Sequence, residues 1–458
     1  MKTTLLGLGA CWGALVIALF ACGSSTPGDP VSGPNPGESG GSVAPTQGGA
    51  GSGIPTSSGG HGGSTNNTDL GGNGGSGGSR AIGGSAGTGG TTGGAGGLGG
   101  AGGAGHAPGP STCPAGSLAP KAGEWTNITP PSIDPTKNAC TDLQFDPSNP
   151  CNLYALYGGG GLWKSTNAGA TWASIGNLPM PNSLGRILID PTDARHMYNT
   201  GSVGGSSLGF WISNDGGATW AIPDAFKAGG AAGKWTNDVY NMVADPTDFN
   251  HVVLTLHYTP GPSAPILETH DGGKSFVAHD ADPGMDHAQG IAMLYDPALH
   301  IGDAKTWLVG AGYGTGIFRT TDAGASWTKV SNEQQNHGGF DVHYSAQGFL
   351  HVGVNGGIIR STDNGITWTK ETNGVPYAYY YSVIGDGHAL YTSQAFVGVD
   401  YNQPFLTTPE GGATEGQTWT PYSSQKLPSG PWKMVFDSGN GIIYNASWGA
   451  AWALKVTH

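Results

Sequence analysis

The chain has 458 residues, of which 85 are Gly, 31 Pro and only 49 charged, 31 of these acidic. Glycine loses the most backbone entropy on ordering, so this composition argues against one 458-residue globule. A formal net charge of −13 argues against nucleic acid as a partner, and no later segment offers the roughly 18 consecutive apolar residues of a polytopic helical membrane protein.

The first element in chain order is an address, residues 1–22. Met1-Lys2 supplies a short positive region, Leu5 to Phe20 is an uncharged apolar run, and Leu19-Phe20-Ala21-Cys22 closes it. The closing tetrapeptide resembles the lipobox of bacterial lipoproteins, which implies export, lipidation of Cys22 as the mature N-terminus and a membrane contact through that lipid. An ordinary signal peptide cut near Ala21 is the alternative. Gly23 after the Cys, in place of an acidic retention residue, implies outer-membrane or cell-surface sorting.

Residues 23–112 follow as a tether. Positions 23–110 hold 35 Gly and four charges, Asp29, Glu38, Asp69 and Arg80, too little apolar surface to build a core. A Gly/Ser-rich coil of this length spans roughly 50 Å r.m.s.. The folded mass is therefore placed at 113–458, with 16 basic and 28 acidic residues, a formal −12.

Within that mass one octapeptide recurs five times. The copies are Ser165-Thr-Asn-Ala-Gly-Ala-Thr-Trp172, Ser213-Asn-Asp-Gly-Gly-Ala-Thr-Trp220, Thr269-His-Asp-Gly-Gly-Lys-Ser-Phe276, Thr320-Thr-Asp-Ala-Gly-Ala-Ser-Trp327 and Ser361-Thr-Asp-Asn-Gly-Ile-Thr-Trp368. Asp accepts backbone N–H bonds inside a tight turn, Gly supplies positive φ, the hydroxyls close the loop, and the aromatic begins the next strand. The pattern resembles the Asp-box (BNR) repeat of sialidase-like, xyloglucanase-like and sortilin-like β-propellers. Trp125, Trp172, Trp220, Phe276, Trp327, Trp368 and Trp419 recur 41 to 56 residues apart, the length of a four-stranded blade. Apolar strands running into Asp-Pro turns, as in Leu143-Gln-Phe-Asp-Pro147 and Ile187-Leu-Ile-Asp-Pro191, open the blades. The expectation is an all-β fold, a single seven-bladed propeller whose N-terminal strand around Trp125 completes the last blade and whose sixth blade carries a degenerate turn, 408–419.

In such propellers the boxes occupy one face and are structural. Seven strand starts converge on the other face, around the central channel, where sites form. Cys113 and Cys151 both fall on the box face and Cys140 on the opposite one, which favours a Cys113–Cys151 disulfide. At the strand starts lie Asp142, Arg186, Trp235, Asn237, Asp238, Asp286, His287, His337, Asp341, Tyr377, Tyr379, Tyr380, Trp432 and Lys433. His257, Tyr258, Tyr313 and Trp448 come from the second-to-third strand loops. Carboxylates beside aromatic platforms suit sugars, whose C–H faces stack on rings while their hydroxyls take directed hydrogen bonds. Asp238, Asp286 and Asp341 are therefore the candidate acid, base or nucleophile across a glycosidic bond. Arg186, Trp235, Asn237, His257, Tyr258, His287, His337, Tyr380, Trp432 and Trp448 are the candidate substrate contacts.

Three functions follow. A polysaccharide-acting glycoside hydrolase-like enzyme comes first, and a non-catalytic glycan- or protein-binding propeller, lectin, scaffold or assembly factor, is the alternative. A polysaccharide lyase with His287 or His337 as base, a Tyr as acid and Arg186 neutralising a uronate is the third. Sialidase activity is disfavoured, because sialidases grip a carboxylate with three arginines and only Arg186 of the five here is placed to reach a ligand. The xyloglucanase pattern is also incomplete, with Gly185 at a strand-start Asp position and no second propeller facing the first. No cofactor or nucleotide-loop signature appears, and the spacing His337-x-x-x-Asp341-x-His343 is no recognised metal motif. The expected partner is a polysaccharide or glycoconjugate, engaged by a monomer.

Overall fold

The computed structural model describes residues 113–178, 184–202, 208–256, 266–285, 287–312, 314–335, 341–395, 403–427 and 429–457. A short strand β1 (Trp125–Asn127) comes first. Blade 1 is then built from β2 (Cys140–Asp146), β3 (Asn149–Tyr157), β4 (Gly161–Ser165) and β5 (Ala173–Ile175), and blade 2 from β6 (Ile187–Ile189), β7 (Met197–Gly201) and β8 (Gly209–Ser213). After a helix, α1 (Asp224–Ala231), blade 3 holds β9 (Val239–Asp245), β10 (Asp248–Leu256), β11 (Ile266–Thr269) and β12 (Val277–His279). Blade 4 holds β13 (Ala288–Asp296), β14 (Ile301–Ala311), β15 (Ile317–Thr320) and β16 (Thr328–Ser331). Blade 5 is β17 (Val342–Tyr344), β18 (Leu350–Val354), β19 (Gly357–Ser361) and β20 (Thr369–Glu371). Blade 6 is β21 (Val383–Gly385), β22 (Ala389–Thr392), β23 (Gln403–Pro409) and β24 (Thr420–Leu427). Blade 7 is β25 (Pro431–Asp437), β26 (Ile442–Ser447) and β27 (Ala450–Lys455), completed by β1, which pairs antiparallel with β27 in the register Trp125↔Leu454. Seven radial sheets closed in this way leave no sheet with a free end in the ring.

The inner strands are almost wholly buried, β2, β9 and β25 at every residue, because each is covered by a neighbouring blade on both faces. The cores lie between blades. Ile128, Tyr157, Val435 and Tyr444, for example, fill the seam between blades 7 and 1 that the closing strand seals.

The five boxes share one hydrogen-bond plan. In Ser213–Trp220 the Ser213 hydroxyl bonds to Asp215 Oδ1 and accepts the Gly217 N–H at 2.9 Å, while Thr219 gives its N–H to Oδ1 at 2.8 Å and its hydroxyl to Oδ2 at 2.6 Å. Gly216 and Gly217 both take the left-handed conformation, φ 73° and 88°, as the turn demands. The first copy, with Asn167, keeps the plan by reversing one bond: Asn167 Nδ2 donates to Thr171 Oγ1 at 2.9 Å. Beside the boxes, at the same ends of the sheets, Asp146, Asp190 and Asp245 cap the A–B turns by accepting the N–H and hydroxyl of Ser148, Thr192 and Thr247. Cys113 and Cys151 form a disulfide with a Cα–Cα distance of 5.5 Å, and Cys140 is a buried free thiol.

Two features depart from a regular blade. In blade 2 the outer strand shrinks to a single bridge, Ile212↔Ala221, after which Pro223 ends extended pairing and α1 begins. Phe226 of α1 is fully buried against Phe210 and Phe276, so the helix packs where strand would otherwise continue. In blade 6 the degenerate turn uses Glu415, which accepts the Gly411 N–H at 2.6 Å and meets His351 Nε2 of blade 5 at 2.8 Å with both side chains fully buried.

Candidate functional site

The strand starts converge as the repeat implies, and four charged residues gather there from four blades. Lys433, at the start of β25, donates to Asp341 Oδ1 at 3.0 Å across 92 residues of sequence, and each partner is 3% exposed. Asp142, early in β2, accepts the N–H of Ile187 at 2.9 Å, of Leu143 at 2.8 Å and the Gln144 amide at 3.1 Å. Burial pushes the Asp142 carboxyl above its ordinary range, opposed by the positive charges of Lys433 and Arg186 and reinforced by Asp341. Arg186 is buried just before β6, its backbone held by Thr200. Asp341 Oδ2 is buried with no donor among the described residues, an acceptor available to a small polar group in the channel.

An aromatic ladder stands beside this charged centre. Tyr381 and Trp432 are buried with ring centroids 5.0 Å apart, and Trp432 meets Trp448 at 5.8 Å. Leu184, from the loop ahead of blade 2, packs on the Tyr381–Trp432 pair. Burial and the neighbouring Tyr379 phenol push the Tyr381 hydroxyl up, against the charge of Arg186, so it is a neutral donor at physiological pH. Tyr379 and Trp448 are 47% and 40% exposed, and Tyr377, lying over the Gly356 turn, is 83% exposed. These three are most of the large exposed hydrophobic residues among those described, and they crowd one sector of the mouth formed by blades 5 to 7.

The other sequence candidates are placed as follows. Trp235 is buried against α1, its Nε1 donating to the Phe226 carbonyl at 3.2 Å, and a Cβ on Gly229 would stand 1.8 Å from its ring. Asn237 lies against Gly230 in the same way, so both serve the helix seat and stand apart from the aromatic ladder. Asp238 is half-buried just ahead of β9, and His287 is half-buried with a left-handed φ of 56°, its carbonyl accepting the Gly312 N–H at 2.8 Å. Tyr380 is fully buried in the seam between blades 5 and 6, its hydroxyl donated to the Pro376 carbonyl. Asp286, His257, Tyr258, His337, Tyr313 and Cys22 lie outside the described residues. His343 meets Glu410 at 3.4 Å on the box side of blade 5, away from the ladder.

Sequence reasoning ranked Asp142 and Lys433 below Asp238, although they form the charged centre. It also selected Tyr380, which turns into the seam between blades 5 and 6, whereas Tyr381 packs on Trp432 and Tyr379 is exposed nearby. The signal for the second was partly present: around the bridge residue Tyr379 alternate residues share a side, so 379 and 381 go together and 380 goes the other way.

Comparison with known proteins agrees with this architecture. The BNR/Asp-box repeat family matches residues 359–370, which hold the fifth box. A xyloglucanase from a Paenibacillus species is 26% identical over 240 residues, covering 48% of this chain and 19% of that protein, so the chain spans about a fifth of the curated relative. Among solved structures, YCF48 bound to D1 peptide superposes with a TM-score of 0.52 at 17% identity, covering 76% of this chain and all of that one. The GH74 xyloglucanase from Xanthomonas campestris superposes with a TM-score of 0.51 at 15% identity over 72% of this chain and 53% of that one. Repeat geometry, blade count and these likenesses together make the chain a seven-bladed β-propeller carrying BNR/Asp-box repeats.

Proposed function

We propose that the mouth of the propeller binds a polysaccharide, with Tyr379 and Trp448 as exposed stacking platforms above the buried charged centre of Asp142, Arg186, Asp341 and Lys433. The observation that carries this reading is the ring series Tyr381–Trp432–Trp448, ending in the exposed Trp448 and with the exposed Tyr379 phenol near Tyr381, beside a charged centre. Rings held rigid by a second layer lose little entropy on stacking against a sugar face. Similarity to xyloglucanases supports a plant-type β-glucan as the first ligand to test.

Binding is favoured over cleavage because Asp142 and Asp341 are buried and engaged by partners from other strands or blades, whereas glycoside hydrolysis needs two carboxylates that reach the scissile bond. Export through the 1–22 leader, a lipid on Cys22 and tethering by 23–112 belong to the same proposal and support a role at the cell surface.

The test is affinity electrophoresis of the full chain in gels containing xyloglucan, mixed-linkage glucan or bacterial polysaccharides. Retardation by at least one glycan, weakened about tenfold by Trp448→Ala or Tyr379→Ala and unchanged by Ile366→Ala on the box face, is the expected result. No retardation by any glycan, or full retention in both aromatic variants, rejects the reading. Release of reducing ends that disappears in Asp238→Asn would convert it to the hydrolase version. Loss of fatty-acid labelling in Cys22→Ser checks the anchor.

A further inference from the structure

Blade 3 departs from its sister blades at two box positions, and the departures meet in space. The residue before the first box residue is Lys164, Ile212, Arg319 or Arg360 elsewhere but Glu268 here, and the second box residue is Thr166, Asn214, Thr321 or Thr362 elsewhere but His270 here. His251, opposite them on β10, faces the same side of the sheet because β10 and β11 pair in the register Val252↔Thr269 and Val253↔Glu268. As a result His251 Nε2 and His270 Nε2 both point at one atom, Glu268 Oε1, at 2.8 and 3.1 Å, with the two imidazoles stacked 4.1 Å apart. All three donor atoms lie within 4.8 Å of one another.

We propose that His251, His270 and Glu268 form a binding site for a divalent transition-metal cation of the zinc class on the box face of blade 3. Two imidazole nitrogens and one carboxylate oxygen are a donor set that zinc accepts, with water filling the remaining position. Around a tetrahedral zinc such atoms stand about 3.3 Å apart, given bond lengths of about 2.0–2.1 Å, so small shifts of these side chains would admit the ion.

The surroundings are those of a metal site. Asp245 Oδ2 lies 3.2 Å from His251 Nδ1, which fixes the ring with Nε2 turned to the centre, and Asp245 is itself held by Thr247. His279 Nε2 lies 2.8 Å from Glu268 Oε2, leaving Oε1 to the ion. The Asp–His pair alone is part of the repeat, since Asp190 and His196 of blade 2 form it at 3.2 Å without a Glu or a second His beside them. His251 and Glu268 are 6% exposed while His270 is 62% exposed, so the ligands are preset by the sheet and the ion has a way in from solvent. Bound there, it would join β10, β11 and the box turn into one rigid unit.

The test uses the full chain stripped with a chelator and titrated with zinc alone against a chromophoric competitor. One equivalent bound, with a rise in melting temperature, is expected, and cobalt substitution should give the visible absorption of a low-coordinate site. His270→Ala, at an exposed position that the fold does not need, should weaken binding at least 30-fold and abolish the thermal shift. Asp245→Asn should weaken it about tenfold, and His300→Ala should change nothing. Absence of stoichiometric binding, or zinc affinity unchanged in both His270→Ala and Glu268→Gln, overturns the proposal.

Discussion

The boxes and the mouth of the propeller treat their carboxylates in opposite ways. In the boxes each Asp is saturated by donors at most four residues away, and the same arrangement recurs with nearly the same distances. At the mouth, Asp142 accepts the Ile187 N–H from the next blade, as Ser382 of blade 6 accepts the Met434 N–H, whereas Asp341 takes its partner Lys433 from 92 residues away, a buried lysine–carboxylate pair seen between no other blades among the described residues. Local and repeated pairing makes a turn; distant and unrepeated pairing makes a place.

The largest effect expected from breaking this contrast is at Lys433. Lys433→Met leaves the Asp341 charge buried without its counter-ion and should lower stability by about 3–5 kcal/mol in urea denaturation, whereas the double variant with Asp341→Leu should recover most of that loss. A loss below about 1 kcal/mol in the single variant would put the mouth pair on a level with an ordinary turn.

A smaller effect is expected on the box face. Asp363→Ala removes acceptors for Thr367 and Ser361 and should cost about 1 kcal/mol. Asp363→Asn should cost clearly less, because Asn167 already performs the same job in blade 1 by reversing one bond. Equal losses in the two variants would mean that charge, and not turn geometry, holds the box.

The smallest effect is in the pH profile, where the box acids and Asp142 have opposite signs. Hydrogen bonds from Ser275 and Ser326 hold Asp271 and Asp322 down at about 2, so their contribution is complete above about pH 4 and is lost as pH falls toward 2. Asp142 is raised by burial, so its ionisation opposes folding above the ordinary carboxylate range and that opposition is relieved as pH falls through its folded value. Asp142→Asn should therefore flatten the stability profile on the limb above the ordinary carboxylate range, while Asp271→Asn and Asp322→Asn flatten it below. Profiles in which both kinds of variant move the same limb would contradict the assignment.

How much of this was legible follows from the same distinction. The boxes, the blade period and closure by the Trp125 strand were readable because each is written in a short contiguous segment with its own turn chemistry. Helix α1 was not, since Gly229-Gly230 looks like loop until Trp235 and Asn237 are seen pressed against them. The Asp142–Arg186–Asp341–Lys433 centre was visible as a set of strand starts, but which members meet is decided by the ring. The His251–Glu268–His270 cluster depends on one β-ladder register, which no local pattern announces.

The disulfide has a mechanical consequence. Cys113 precedes the closing strand β1 and is bonded to Cys151 at the start of β3, inside blade 1. A pull arriving along the chain from its N-terminal side is thus delivered covalently to a strand flanked by β2 and β4, and the three-residue strand that latches the ring carries no load.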